Sequence, residues 1–414
     1  MRNVFILLLV AAAGVLGVEG NGDPVPTDPT PPAPALRARA MWVCSETLQN
    51  PEEIERLVAT AAAYGIDTLF VQVRRAGDAY YTSATEPRSR KLAGQAPDFD
   101  PLAAVIADAR PFGIQVHAWL NVVYCWPGPE LPPMKSHVAA RHPEWITVGR
   151  DGRRLTSYSK KEMARADTEG WYVEPSEPSF AAYFAAVAGE VAANYEVAGV
   201  HLDFIRYPNI RFGYGERARA AYRKAKPGEP DPRLLGYHKS DRDIFRPATG
   251  AAGLADRWFD LHTLEWYDWR ARQIERIVAT AGGAVHEAKP ECVYSAAVWA
   301  NPEHAYRYVG QDWLGWSERG LVDILVPMTY WGNADKLGAV AERLARRRAD
   351  TCRVYLGVGT FNHDPAYTAA TVAGLGDCPA DGFVLFDYDS CWRKPETLPR
   401  LAEVCPRVEV EPCP

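Results

Sequence analysis

Eight short apolar runs, separated by stretches with helical spacing, limit the fold of this chain more than any other feature of its sequence. The predicted strands are 40–44, 68–74, 114–120, 199–203, 292–298, 322–328, 353–358 and 382–388. Most are continuous in their apolar character rather than alternating, the mark of strands covered on both faces and hence of a parallel sheet. Eight such units in one domain predict an α/β fold, a (β/α)₈ TIM barrel. An open doubly wound sheet is the alternative. It calls for a glycine-rich phosphate loop after the first strand, and Cys44-Ser45-Glu46-Thr47-Leu48-Gln49 is not one.

Between the runs, helix starts are written in the sequence. Asn50-Pro51-Glu52-Glu53 has the cap, first-turn proline and acid of a helix N-terminus. Asp100-Pro101 repeats the signal, and 179–195 and 255–288 are predicted as longer helices. Two connections are too long for simple crossovers. The loop after strand three spans about 121–178, and the loop after strand four about 209–253.

The N-terminus reads differently. Arg2 precedes the uncharged apolar run Val4–Val18, with small residues following, which predicts a secretory signal peptide over 1–20. Residues 21–37 are a Pro-rich linker, 38–400 the barrel and 401–414 a tail. No later stretch is apolar enough to span a bilayer, and the expected location is secreted or periplasmic. In that setting the cluster Cys352, Cys378, Cys391, Cys405 and Cys413 predicts a disulfide or two tying down the C-terminal end. Cys44 and Cys125 read as buried thiols. No cysteine or histidine spacing suits a metal, and no cofactor is expected. A formal charge of −6 argues against a nucleic-acid partner; oligomeric state is not legible.

A barrel gathers its chemistry at the C-terminal ends of its strands. Those ends carry Gln72, Arg74 and Asp78 after strand two, and His117, Trp119 and Asn121 on strand three. Strand four brings Asp203, Arg206 and Tyr207; strand five, Trp299 and Asn301; strand six, Tyr330 and Trp331; strand eight, Asp387. Rings mixed with carboxylates, amides and arginine suit a carbohydrate, because sugar C–H faces stack on aromatics and hydroxyls need polar partners. These residues are the predicted substrate-binding set. Glycoside cleavage requires two carboxyl groups. Asp203 is the expected base or nucleophile and Glu86, in the loop after strand two, the expected acid, with Asp78 and Asp387 as rivals. Asp78, beside Arg74 and Arg75, suits binding better than proton donation. A non-catalytic glycan-binding barrel is the competing reading, and a lyase or isomerase would need a metal or lysine base that is not evident.

Several of these motifs, in this order, resemble the glycosyl hydrolase-like 10 family. They are Gln72-Val73-Arg74 with Gly77-Asp78-Ala79-Tyr80-Tyr81, then His117-Ala118-Trp119-Leu120-Asn121 and His142-Pro143-Glu144-Trp145. They continue with Gly199-Val200-His201-Leu202-Asp203-Phe204, Arg206-Tyr207-Pro208, Gln311-Asp312-Trp313 and Val326-Pro327-Met328-Thr329-Tyr330. The resemblance covers about residues 38 to 395. It implies a TIM barrel acting on glycosidic bonds, with some relatives cutting peptidoglycan glycan strands in bacterial envelopes. It implies a catalytic role for Asp203. Phe204 stands where many relatives carry a second Asp, and strand six ends without the acid found in α-galactosidase-like barrels.

Overall fold

The computed structural model describes residues 38–235, 252–376 and 378–405. The expected signal peptide, the linker, the last nine residues of the tail and part of the second long loop lie outside this set.

Eight parallel strands close into a barrel. In chain order they are Ala38–Val43, Thr68–Arg74, Gln115–Asn121, Gly199–Asp203, Val293–Trp299, Ile324–Met328, Arg353–Gly359 and Gly382–Phe386. Each pairs with its sequence neighbours, and the first closes on the eighth through Ala38 against Gly382. The predicted strands are all present, with ends shifted by a residue or two. Strand eight stops at Phe386, because Asp387 leaves the ladder to cap the helix Tyr388–Arg393.

Alternation along the strands sorts the side chains. Met41, Val43, Leu69, Val71, Val200 and Leu202 point outward into the layer shared with the helices. Ala40, Trp42, Phe70, Trp119, Val326 and Val384 fill the interior. The helix Pro178–Asn194 presents Phe180, Phe184, Val187 and Val191 to the outer layer. It packs along the 37-residue helix Ala252–Ala288, which follows the second long loop. The first long loop carries a small antiparallel pair, Tyr124–Trp126 with Trp171–Tyr172. Among the described residues no helix is long and apolar enough to cross a membrane.

The lower barrel interior leaves no spare volume. A methyl group added at Gly199 would lie 2.3 Å from His117 Nδ1 and 2.7 Å from the Val293 carbonyl oxygen. Gly199→Ala is therefore expected to destabilise the chain by about 1–3 kcal/mol through overpacking, read by denaturant melts of the two proteins.

Among the described residues, Cys352, Cys391 and Cys405 of the predicted C-terminal staple carry no disulfide. Cys44, Cys125 and Cys292 are likewise unbridged, and Cys413 lies outside the described residues. Cys352 and Cys391 are packed as small apolar groups.

Candidate active site

Asp203 ends strand four on the inner face, level with Asn121 of strand three. The ladder breaks immediately after it. Phe204 takes φ of 49°, a left-handed conformation rare for a bulky residue. That turn aims the Phe204 N–H back at Asp203 Oδ1, 2.6 Å away. The carboxyl is only 9% exposed. Burial pushes its pKa from 3.8 up to about 6; the Phe204 N–H and Arg206 pull the other way, and Glu169 adds to the rise. The Trp119 indole lies close enough to favour the charged form slightly. Such a carboxyl is better suited to giving a proton than to the base or nucleophile role expected of it.

Around this acid the predicted residues divide. Gln72 and Asn121 sit at the strand tops, where Gln72 Nε2 donates to Asn121 Oδ1 at 3.4 Å and Asn121 Nδ2 donates to the Arg75 carbonyl at 2.8 Å. Tyr330 crosses edge-on to Trp42 and packs against Phe386. Its hydroxyl is pushed well above the usual range by burial, and Asp203, Cys44 and Asp387 add to the rise, so the phenol stands near both aspartates. Asp387 has both oxygens engaged, Oδ1 by the Ser390 N–H and Oδ2 by the Cys44 thiol. Asp78 caps its own turn by accepting the Ala76 N–H. Asn301 caps the following turn through the His304 N–H. Trp331 is half exposed, edge-on to Phe361.

Arg206 lies across the Phe204 ring, 4.6 Å from its centre, with Trp299 at 5.7 Å and Tyr172 at 5.9 Å. Its Nη2 donates to Glu169 Oε1 at 3.2 Å, and the Tyr172 hydroxyl donates to Glu169 Oε2 at 2.5 Å. Glu169 and Tyr172 belong to the first long loop. Sequence reasoning missed both, since no period or motif marks them.

Four predicted site residues are elsewhere. Arg74 and Glu86 form an ion pair, 2.7 Å from Nη2 to Oε1, with both side chains fully buried. A register irregularity between Gln72 and Arg74 pairs Arg74 with Leu120, an outward position. Arg74 thus lies against Phe184 of the outer helix, and Tyr183 of that helix donates to Glu86 Oε1 at 2.7 Å. Glu86 therefore cannot meet a substrate in the mouth, which overturns its expected role as acid, and Arg74 is structural. His117 sits low in the barrel against Phe70, its pKa lowered to about 3 by burial and then by Arg353. Tyr207 is turned outward beneath Arg270, whose guanidinium lies 4.1 Å from the ring centre.

Below the acid runs a buried polar chain that the sequence did not announce. The Trp42 indole donates to His201 Nε2 at 3.1 Å, and His201 Nδ1 lies 2.8 Å from Ser295 Oγ. Among the described residues no cluster of His, Cys, Asp and Glu could hold a metal ion. A hollow lined by Tyr306, Asp312, Trp313 and Arg319 lies outside the acid's surroundings.

A closed parallel barrel with a buried carboxyl at the end of strand four belongs to the TIM-barrel class in which many glycosidases are built. The comparisons narrow this. The model of the glycosyl hydrolase-like 10 family matches residues 37–362, and the chain belongs to that family. Glycosyl hydrolase DigH of Escherichia coli O6:H1 is 25% identical over 370 residues, covering 79% of this chain and 72% of its own. Glycosyl hydrolase YngK of Bacillus subtilis is 22% identical over 370 residues, covering 80% of this chain and 62% of its own. Among solved structures, the catalytic domain of β-amylase from Paenibacillus polymyxa aligns over 86% of this chain and 94% of its own, with a TM-score of 0.56 and 12% identity. The α-L-fucosidase isoenzyme 2 from Paenibacillus thiaminolyticus aligns over 89% of this chain with a TM-score of 0.53 and 15% identity, and the chain spans 49% of that protein. At these identities the structural likeness establishes the barrel.

Proposed function

We propose that this protein is an exported glycoside hydrolase that cleaves O-glycosidic bonds within a polysaccharide, with the glycan strands of peptidoglycan as the first substrate to try. Asp203 supplies the proton to the departing sugar oxygen. The observation that carries this reading is the placement of Asp203: inner face, end of strand four, nearly covered, and held towards its protonated form by burial. A barrel that only bound glycans would gain nothing from a carboxyl kept in so costly a state. Family membership and the curated relatives named as glycosyl hydrolases support the reaction class. Export is supported by the apolar run Val4–Val18 behind Arg2.

The deciding experiment is incubation of the purified chain with a panel of glycans, peptide-free peptidoglycan strands included, with products weighed by mass spectrometry. New reducing ends support the reading; binding without turnover across the panel overturns it. The role of Asp203 also fixes a pH dependence. A proton donor works only while protonated, so kcat/KM is expected to fall about tenfold per pH unit once pH rises beyond about 6. A rate that instead climbed through that range would assign Asp203 to the opposite role.

A further inference from the structure

Glycoside hydrolysis with Asp203 as donor leaves a second carboxylate to be found, and four of the described acids can be set beside a fifth. Glu86 is sealed behind the barrel wall with Arg74. Asp387 is buried at the start of its helix, where its oxygens accept from the Ser390 N–H and the Cys44 thiol. Asp78 is committed to the Ala76 N–H, and Glu174 is buried, accepting from Thr147 and Ser176. Glu169 differs from all of these. Its side chain is 51% exposed, whereas its partner Arg206 is 9% exposed and stands directly after the catalytic strand.

We infer that Glu169 is the second carboxylate of this site and accepts the proton of the water that attacks the anomeric carbon. The inference rests on the hydrolase reading above.

Three observations carry it. Both Glu169 oxygens accept hydrogen bonds, one from the Arg206 guanidinium and one from the Tyr172 phenol, which hold the side chain in place. Arg206, just beyond Asp203 in the chain, holds Glu169 at 3.2 Å, and the charges of both act on Asp203. The backbone beside Glu169 is pinned: Trp171–Tyr172 pairs with Tyr124–Trp126, and a methyl group at Gly170 would meet the Trp126 carbonyl oxygen at 2.4 Å. A buried acid and a half-exposed, ion-paired carboxylate form the asymmetric pair that acid–base hydrolysis needs.

In the step itself the bond from C1 to the bridging oxygen breaks as Asp203 gives that oxygen its proton, releasing an alcohol. The water oxygen bonds to C1 and loses a proton to Glu169, so the product is a hemiacetal of inverted configuration. Asp203 is left as carboxylate and Glu169 protonated; exchange with solvent resets both. One water is consumed for each bond cut.

The test uses the full chain and peptide-free peptidoglycan glycan strands, or whichever member of the glycan panel the native chain cleaves. Glu169→Ala is expected to lower kcat about 10²–10³-fold with little change in KM. Sodium azide should then restore turnover and yield a glycosyl azide of inverted configuration. Glu169→Gln keeps acceptors for Arg206 and Tyr172 but no base, and should be as slow as the Ala variant while melting like the native chain. A Gln variant with near-native turnover would reduce Glu169 to an anchor for Arg206 and overturn the assignment. So would an Ala variant keeping more than about a tenth of native activity, an absence of azide rescue, or a product that retains configuration. If the native chain cleaves glycan and Asp203→Asn does not, while the Glu169 variants remain active, only the base assignment fails. If the native chain cleaves nothing in the panel, the hydrolase reading falls with it.

Discussion

Asp203→Asn is expected to lower hydrolysis about 10³-fold or more and, at neutral pH, to make the protein more stable. The first effect follows from removing the proton donor, a contribution of about 10²–10⁴ in rate. The second follows from the same burial that equips the donor. Its pKa is about 6 folded against an ordinary 3.8. Between those values the unfolded chain has released its proton while the folded chain still holds it. Stability therefore falls as pH rises from 3.8 to 6 and stays lowered above, by up to about 3 kcal/mol. Asn has no charge to bury, so the variant should gain part of that at pH 7.5. The gain should fade as pH drops towards 3.8. Paired denaturant melts of the native and variant chains across this range measure it directly. Equal stability at every pH would mean that the carboxyl is not held in the state argued for here.

Glu86→Gln is expected to do the reverse. It touches nothing in the mouth, so turnover per folded molecule should be unchanged. It leaves Arg74 buried without a counter-charge, and breaking such a pair costs about 3–5 kcal/mol. Glu86 Oε1 collects both Nε and Nη2 of Arg74 and the Tyr183 hydroxyl, so one substitution disturbs three bonds. Arg74→Met/Glu86→Leu should recover only part of the loss, because Arg74 Nη1 also serves the carbonyls of Asn121 and Val122. Denaturation midpoint and specific activity, measured on the same preparations, separate the two carboxyls: one variant stable and inactive, the other active and weak. Loss of specific activity in Glu86→Gln would return that residue to the site.

What the sequence makes legible follows from which signals are periodic. The eight strands are visible because a strand covered on both faces must be apolar throughout, as in Leu69-Phe70-Val71 or Ile324-Leu325-Val326. The acid at 203 is visible because it interrupts such a run at its C-terminal end. Orientation is harder. Counting by twos from Phe70 and Gln72 aims Arg74 into the barrel; one irregularity in the ladder turns it out. The left-handed turn at Phe204 similarly carries Tyr207 out of the mouth, although it stands only four residues beyond Asp203. Height along the strand defeats the reading of His117, which faces inward at the level of Gly199, where strand four begins. Glu169 and Tyr172 lie in a loop whose shape comes from tertiary packing, and no local pattern could have nominated them.

His201 is gripped at both nitrogens. Accepting a hydrogen bond from the Trp42 indole N–H at Nε2 leaves its own proton on Nδ1, to be donated to Ser295, whose hydroxyl can pass a weaker bond on to the Val200 carbonyl. Burial holds both this ring and His117 well below the range in which imidazoles normally gain charge. The bore is thus an electrically quiet floor, locked in one tautomer. Solvent acidity can shift from neutral to moderately sour without placing a new positive charge beneath Asp203, leaving that carboxyl to answer the change.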